Sequence, residues 1–255
     1  MKFTINSDKL RKALESVQIK GKGTTSSGFG NSSFGTFAFL EIKNNVLNIR
    51  NGDSTFFTEI SLPLEGEVIE GSCCIDSYLV IPYLKSFDDD VVFNIGQFIY
   101  LVGENRKASI PVIVNHPDED AIRRIKDMLK EVVYEIQPQR LFSFGKSAYE
   151  SAFTLTHQQL KTALKNCELV KSGIYKFDYN NNILTVSSSE SVTNKYEETI
   201  TPVFNLGEPA TVEFSSPIYA FFESEQMLNV YMKDEFPLLI VSDDRILLKA
   251  PTVNG

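Results

Sequence analysis

Basic side chains on two similar segments are the residues best suited to a chemical task, the binding of phosphate. The segment FTINSDKLRKALESV (3–17) returns as FTLTHQQLKTALKNC (153–167), and each copy predicts a short strand, a polar cap and an amphipathic helix. Arg11 and Lys161 occupy the same place in the two copies, outside the apolar stripe. Lys and Arg contact phosphates independently of nucleotide sequence and exchange easily with counterions. The two helix faces are therefore candidates to contact DNA, and an ordinary solvated face is the alternative for either copy alone.

The charge distribution favours a local basic face in an acidic protein. The 255-residue chain has a formal net charge of −8, which excludes a globally basic nucleic-acid binder. Residues 1–22 nevertheless have an excess of positive charge, with only Asp8 and Glu15 opposing it. An acidic protein can contact DNA where its basic residues converge in space. The cations on the wet faces of the predicted helices 7–18 and 156–168 are Lys9, Arg11, Lys12, Lys161 and Lys165.

The Gly-rich stretch 20–36 lacks the spacing of a phosphate-binding loop. Ser33 stands where the dinucleotide fingerprint G-x-G-x-x-G needs Gly. Lys22 is followed by Gly23, where a P-loop needs Ser or Thr. A flexible loop is the better interpretation of this stretch.

Residue types that bind metals or act as nucleophiles occur without the necessary spacing. His116 and His157 are the only histidines and there is no Cys-x-x-Cys, so we expect no zinc site. An odd number of cysteines, with Cys73 and Cys74 adjacent, argues against a disulfide framework, and one of that pair is expected in the core. The acidic run 88–90 is interpreted as a solvated turn, and no Ser lies in a G-x-S-x-G elbow. We therefore predict no catalytic residue, no metal and no cofactor.

Length and hydropathy predict a protein without membrane segments. The chain is long enough for one large or two medium domains. No apolar run approaches the roughly 18 residues of a membrane span, and the N-terminal MKFTINSDKL lacks the apolar stretch of a signal peptide. We expect the protein in the cytoplasm, associated with the nucleoid, or in the nucleus, depending on the host.

The repeat continues along the whole chain. The strand IKNNVLNI (42–49) returns as YNNNILTV (179–186), and an Asn turn leads into each copy. Each half is predicted to run β-α-β-β-β-α-β-β, so the fold class is α+β with two duplicated β-rich domains, each with two helices packed on antiparallel sheets. The later matches are CCIDSYLVIPYLKSF (73–87) with VEFSSPIYAFFESEQ (212–226), a strand entering a short helix, and FIYLVGENRKASIPV (98–112) with PLLIVSDDRILLKAP (237–251), two strands around a polar turn.

A segment with a helix of its own is predicted between the halves. Residues 118–133 begin with acidic residues and continue with an apolar stripe, and residues 134–144 are predicted to be extended. The stripe consists of Ile122, Ile125, Leu129 and Val132. The predicted parts are a first domain at 1–114, an interdomain linker at 115–150 and a second domain at 151–255.

With these residues in view, the chain resembles the DNA sliding clamps, the family of proliferating cell nuclear antigen, the bacterial polymerase III beta subunit and the phage clamps. The N-terminal MKFTINSDKLRKALESV is similar to the opening of a bacterial clamp, and 71–112 follows the helix, strand and hairpin of that family. The segments 214–241 and 247–251 are closer to the end of proliferating cell nuclear antigen. The resemblance covers nearly the whole chain and depends on the pattern in sum, because no single motif is diagnostic.

The resemblance implies a ring of six like domains lined by twelve helices, which a two-domain chain would form as a head-to-tail homotrimer. Such a protein would encircle duplex DNA irrespective of its sequence and act as a processivity factor, with a DNA polymerase and a clamp loader as partners. The helices that would line the hole are 7–18, 76–87, 156–168 and 215–225. The residues that would meet phosphates, many through water, are Lys9, Arg11, Lys12, Lys20, Lys22, Lys85, Lys161 and Lys165.

The resemblance also implies a hydrophobic groove that binds client peptides with aromatic anchors. Leu238 fits equally well in the core of a hairpin. The chain departs from the family pattern at the linker, where a cationic helix with Arg123, Arg124, Lys126 and Lys130 replaces an extended strand. The matching groove residues are Pro237, Leu238, Leu248, Ala250 and Pro251, and, less securely, Ser33, Phe34, Gly35, Leu141 and Phe142.

Two other functions fit the same sequence. One is a clamp-like recruitment or checkpoint protein that does not act in replication. The other, less favoured, is an enzyme on a duplicated α+β fold. It would need a cleft with a carboxylate of shifted pKa, or Cys167 as a nucleophile.

Overall fold

The computed structural model describes residues 1–18, 37–113, 119–132, 141–215 and 218–252. The described residues divide into two compact units, with the main boundary between Ile122 and Arg123. A short piece, Ser54–Phe57, belongs to the second unit. The sequence-based boundaries 114/115 and 150/151 stay predictions.

The first unit contains two antiparallel arrangements of strands and two helices. One sheet has the order β1-β6-β7-β8, and the other strands follow the order β5-β2-β3-β4. Helices α1 and α2 pack against each other. The elements are β1 (Lys2–Asn6), α1 (Ser7–Ser16), β2 (Phe37–Lys43), β3 (Val46–Gly52), β4 (Phe56–Pro63), β5 (Gly71–Asp76), α2 (Ser77–Leu84), β6 (Asp90–Ile95), β7 (Phe98–Val102) and β8 (Lys107–Pro111).

The second unit repeats the strand arrangement and the first helix, has a 3-10 turn in place of α2, and adds a small sheet. Its strand orders are β16-β12-β18-β19-β20, β15-β14-β13-β17 and β11-β10-β9. Helix α3 crosses the boundary between the units. The elements are α3 (Glu119–Met128), β9 (Leu129–Val132), β10 (Leu141–Phe144), β11 (Ser147–Ala148), β12 (Ser151–Thr156), α4 (His157–Cys167), β13 (Ile174–Asn180), β14 (Ile183–Ser189), β15 (Lys195–Ile200), β16 (Phe204–Gly207), β17 (Ala210–Ser215), a 3-10 turn (Tyr219–Phe221), β18 (Met227–Met232), β19 (Leu238–Val241) and β20 (Arg245–Lys249).

The predicted Asn turns occur in both units and set the strand register. Asn44 and Asn45 have φ of 52° and 57°, and Asn181 and Asn182 have φ of 51° and 63°. Positive φ at both central residues is the requirement of a type I′ hairpin turn, and Asn tolerates this left-handed region better than most residues. The two hairpins β2–β3 and β13–β14 therefore follow from the sequence.

The first helix of each repeat begins where its capping residue predicts. The Asn6 side chain accepts hydrogen bonds from the backbone N–H groups of Asp8 and Lys9. Thr156 and Gln159 form a reciprocal capping box at the start of α4. The apolar stripes of α1 and α4 are buried, as predicted from their spacing.

The aromatic residue before each of these helices lies in the core. Phe3 stacks on Phe93 with ring centroids 5.0 Å apart, and Phe153 stacks on Tyr179 at 4.8 Å. The first strand and first helix of each repeat are therefore anchored to the interior of their own unit.

The predicted helix over 118–133 is wrong in its second part. The helix ends at Met128, and Leu129–Val132 forms β9, which pairs with β10 in the register Leu129↔Phe144. The N–H of Gly145 donates to the carbonyl of Met128 over 2.8 Å, so the end of the helix is satisfied by the β10–β11 turn. Strand pairing thus takes the backbone groups that a longer helix would use.

The predicted helix over 215–225 is also wrong. Ser215 still belongs to β17, Tyr219–Phe221 form only a 3-10 turn, and Glu225 has a positive φ of 78°. The buried Arg245 guanidinium donates to the carbonyl of Phe221. A side chain from a distant strand therefore satisfies a carbonyl that an α-helix would bond internally.

The predicted strand count is too low. Over its described residues the first unit runs β-α-β-β-β-β-α-β-β-β, with one more strand on either side of the second helix than the sequence pattern indicates.

Candidate nucleic-acid interface and partner groove

Two of the three cations of α1, Arg11 and Lys12, are held by carboxylates of the same helix. Arg11 donates to Asp8 and, over 2.7 Å, to Oε2 of Glu15. Lys12 Nζ lies 2.7 Å from Oδ2 of Asp8. The hydrogen bonds from Lys12 and Arg11 lower the pKa of Asp8, which is therefore charged near neutral pH. Lys9 is exposed and forms no ion pair with any described residue.

Helix α2 contributes aromatic surface and a single cation. Lys85, immediately after α2, reaches Glu15 of α1 with Nζ 3.7 Å from Oε1. The exposed face of α2 consists mainly of Tyr78, Leu79 and Tyr83, and Tyr78 is 72% exposed. The helix surface of the first unit is therefore partly neutralised and partly aromatic.

The cations of α4 are placed differently. Lys161 is half-buried and Lys165 is exposed, and in the described ranges neither has a carboxylate oxygen within ion-pair distance. Lys165 Nζ lies 5.9 Å from the centroid of the Tyr219 ring, which leaves its charge available to solvent. These two ammonium groups can bind phosphate without first breaking an ion pair.

The remaining predicted DNA contacts, Lys20 and Lys22, lie outside the described residues. The same is true of the groove residues Ser33, Phe34 and Gly35.

An aromatic cluster in the second unit fixes the strands next to the predicted groove. The Phe142 ring lies 5.1 Å from Tyr231, and Tyr149 lies 6.1 Å from Tyr231 and 5.4 Å from Phe236. Tyr149 Oη donates to the carbonyl of Pro237 over 3.0 Å. Burial raises the pKa of Tyr149, so its hydroxyl keeps the proton that it donates.

The groove residues divide into core and surface positions. Leu238 is fully buried and Leu248 is 5% exposed, so both pack in the hairpin interior. Phe142 is buried as well, as a member of the aromatic cluster. The half-exposed members are Leu141, Pro237, Ala250 and Pro251. A ligand at this place would contact these four side chains directly.

Comparison with known proteins gives matches by structure alone. No model of a known protein family matches the chain, and no curated protein matches its sequence. A DNA polymerase III beta subunit from Thermotoga maritima superposes with a TM-score of 0.73 at 14% identity, covering all of this chain and 66% of the other. A. fulgidus PCNA, solved with the C-terminal region of FEN-1, gives a TM-score of 0.71 at 12% identity and covers 100% and 99% of the two chains. PCNA from Thermococcus kodakaraensis gives 0.68 at 14% identity, with 98% and 99% covered.

The chain has the sliding-clamp fold. It spans about two thirds of the length of the matched bacterial beta subunits and nearly the whole length of the matched PCNA chains. The resemblance seen in the sequence, and the α+β class with duplicated β-rich domains, are therefore confirmed.

The cysteines of this clamp fold are poor nucleophiles. Burial raises the pKa of Cys73 to about 12 and that of Cys167 to about 11, so both thiols stay protonated near neutral pH. Cys74 is buried next to Cys73, so both members of that pair, and not one, lie in the interior. Cys167 therefore does not support the enzyme alternative.

Within the described ranges of the clamp fold, no three His, Cys, Asp or Glu side chains converge closely enough to hold a metal ion. In the same ranges, no helix is long and apolar enough to cross a membrane.

Sequence reasoning missed the aromatic residues that surround the groove of the clamp fold. Tyr149, Tyr231 and Phe236 are not among the predicted site residues, although they fix Phe142 and Pro237. The signal available in the sequence is the clustering of Phe and Tyr at 142–149 and 231–236.

Proposed function

We propose that the protein is a DNA sliding clamp, a non-enzymatic processivity factor that encircles duplex DNA as a head-to-tail homotrimer. The observation that carries the proposal is the repeated helix with a cation at the same place, Arg11 in α1 and Lys161 in α4. In a closed ring, three-fold symmetry would repeat both helices around the hole, with the α4 cations free of ion pairs among the described residues and Arg11 held by Asp8 and Glu15. Contacts to phosphate would be independent of sequence, and many would pass through water, so the ring could move along DNA.

Edge strands supply a route to ring closure. Strand β8 ends the sheet β1-β6-β7-β8, and β15 ends the sheet β15-β14-β13-β17. Exposed edges bind other strands unless they are covered, and head-to-tail pairing of β8 with β15 of the next chain would cover both.

A hydrophobic groove would recruit the clients. Its accessible side chains are Leu141, Pro237, Ala250 and Pro251, and the Tyr149–Pro237 hydrogen bond fixes the segment beside them. An extended peptide with an aromatic anchor is the ligand such a surface suits. A DNA polymerase and a clamp loader are the proposed partners.

The ring is tested by light scattering and by a topological assay on purified protein. We expect a trimer of 28.7-kDa chains that, with its loader, stays on a closed circular plasmid and slides off after linearisation. A stable monomer at micromolar concentration, or retention that does not depend on circularity, would contradict the proposal.

Two substitutions of Ser109 in β8 test the closure of the ring, one as the test and one as its matched control. Gly103 donates to the carbonyl of Arg106 in the β7–β8 turn. Hydrogen-bonded and non-hydrogen-bonded pairs alternate in an antiparallel ladder, and Gly103–Arg106 is a hydrogen-bonded pair. Ser109, three positions further along the register, therefore belongs to a non-hydrogen-bonded pair, and its N–H points away from β7. Ser109→Pro removes that donor and should convert trimer to monomer, whereas Ser109→Ala should leave the trimer intact.

One observation favours a second candidate, a clamp-like recruitment protein that does not act on DNA. In the first unit the cations Arg11, Lys12 and Lys85 are opposed by Asp8 and Glu15. Charge reversal of Lys9, Lys161 and Lys165 together would leave the trimer and its peptide binding unchanged under either hypothesis. If the protein is a sliding clamp, this triple variant should lose its retention on circular DNA. A recruitment protein that does not act on DNA would show no such retention in the unaltered chain.

A further inference from the structure

The outer face of the sheet β1-β6-β7-β8 exposes two aromatic side chains. Phe98 is 43% exposed and Tyr100 is 41% exposed, and their rings meet edge to face with centroids 6.3 Å apart. Pro111 of β8 is paired with Phe98 and is exposed as well. Large apolar side chains grouped on one sheet face mark a candidate interaction surface.

The repeat identifies the corresponding surface in the second unit. The strand registers match residue by residue, so Phe98 corresponds to Pro237, Tyr100 to Leu239 and Pro111 to Ala250. By the same registers, Asn94 corresponds to Tyr231. The exposed aromatic surface is therefore the first unit's copy of the sheet face beside the predicted groove.

In the second unit this face is covered by another part of the same chain. Phe142 and Tyr149, on and next to the small sheet β9–β11, pack on Tyr231. Leu239 is consequently fully buried, whereas its counterpart Tyr100 is not. The second unit thus displays the kind of occupant that fits the face, a β-hairpin with aromatic side chains.

The charged side chains next to this face of the first unit indicate which kind of peptide it would bind. Lys107, like Ser109 and Pro111, lies on the outer side of β8. Lys2 lies in the same cross-strand row as Tyr100. Lys107 is exposed and has no ion pair among the described residues, and Lys2 is paired at the rim with Glu67. Acidic groups next to an aromatic anchor complement this arrangement.

We propose that the face formed by Phe98, Tyr100 and Pro111 binds an acidic, hairpin-forming peptide through an aromatic side chain. This second peptide site is distinct from the groove at Pro237 and Ala250. It depends on the duplication of the two units and not on DNA binding, so its failure and the failure of the clamp proposal are separable.

The test uses the full chain and a fluorescein-labelled peptide derived from the segment that covers the equivalent face. The probe is LFSFGESAYE, which is residues 141–150 with Lys146→Glu. We expect saturable binding by anisotropy, protection of β7 and β8 from hydrogen exchange, and weaker binding of the unaltered LFSFGKSAYE.

Three double variants locate the peptide. Phe98→Ser with Tyr100→Ser should weaken binding by about tenfold or more, because aromatic anchors dominate such interfaces. Phe204→Ser with Leu206→Ser removes another exposed apolar pair and should leave binding unchanged. Pro237→Ser with Ala250→Ser should retain most of the binding, because Phe142 and Tyr149, which the probe copies, already cover the adjoining face of the second unit.

The remaining outcomes overturn the proposal. If only the Pro237→Ser, Ala250→Ser double variant lost peptide binding, the peptide would bind to the second unit. Equal loss with all three pairs would show nonspecific adsorption. Binding that does not saturate at millimolar peptide would exclude the site.

Discussion

Removing the two unpaired lysines of α4 should flatten the salt dependence of DNA binding. Lys161 and Lys165 have no ion pair among the described residues, so each can displace one counterion from duplex DNA. Log K falls with log salt by about 0.9 for each phosphate neutralised. Two lysines in each of three chains give about six contacts, so Lys161→Ala with Lys165→Ala should reduce the slope by up to about 5.

The matched control removes the same charge from the other repeat. Lys12 is paired with Asp8 at 2.7 Å and Lys85 with Glu15 at 3.7 Å. Each of them must give up a carboxylate before it binds phosphate, so the net release of counterions is smaller. Lys12→Ala with Lys85→Ala should therefore change the slope much less, although both double variants alter net charge equally.

The assay is fluorescence anisotropy of a labelled duplex over about 50 to 300 mM salt, the range in which counterion release dominates. Light scattering on each variant checks that its oligomeric state is unchanged. Equal slopes for the two double variants would refute the reasoning, because net charge and not local pairing would then control DNA binding.

Three further predictions concern the second unit and its interior. Arg245→Met should lower the free energy of unfolding by about 1 to 3 kcal/mol in urea titrations, because it leaves the Phe221 carbonyl without its buried donor, whereas the exposed Glu223 carboxylate is solvated by water; Arg106→Met, at the equivalent exposed position, should cost under about 1 kcal/mol. Cys73 and Cys167, with pKa values of about 12 and 11, should resist a thiol reagent at pH 8 until urea unfolds the chain, and rapid native labelling would contradict their burial. Burial lowers the pKa of His157, so the unfolded chain binds more protons than the folded chain just below the ordinary value of 6.5; the melting temperature should fall as pH drops through that window, and His157→Gln should lose this part of the pH dependence.

Local chemistry predicted the repeated first helix and the Asn turns. Asn6 and Thr156 cap their helices by bonds to residues two or three positions away, and Asn44–Asn45 adopt positive φ for reasons internal to the turn. Such interactions are readable from sequence because both partners lie within one window of a few residues.

Distant partners account for the failures. The helix expected over 215–225 is replaced by a 3-10 turn whose carbonyls are met by Arg245 and by the His157 ring at 3.0 Å. The helix expected over 118–133 stops at Met128 because Leu129–Val132 finds a strand partner in β10. Neither partner lies in the window where helical periodicity is read, so propensity alone favours the wrong element.

Part of the burial of the predicted groove residues can be read from the sequence. Leu238 begins the continuous apolar run 238–241, which is typical of a strand covered on both faces, and both faces of β19 are covered. No local pattern indicates that Phe142 and Tyr149 cover the outer face, because these residues are about 90 positions away in the chain.

The two copies of the repeat agree in the core and differ at the surface. We expect the surface difference to give the two copies different roles in DNA binding. Phe3 and Phe153 stack in the same way, but Arg11 and Lys12 of α1 are ion-paired, whereas Lys161 and Lys165 of α4 have no ion pair among the described residues. Close packing in the core tolerates only a narrow range of side-chain shapes. Matching core residues therefore preserve the same fold in both copies. Solvent positions carry no such restraint, so a paired α1 and an unpaired α4 can arise from one ancestral helix without cost to stability. Symmetry of the fold therefore does not imply six equal DNA contacts in the proposed ring, and the α4 lysines are expected to carry most of them.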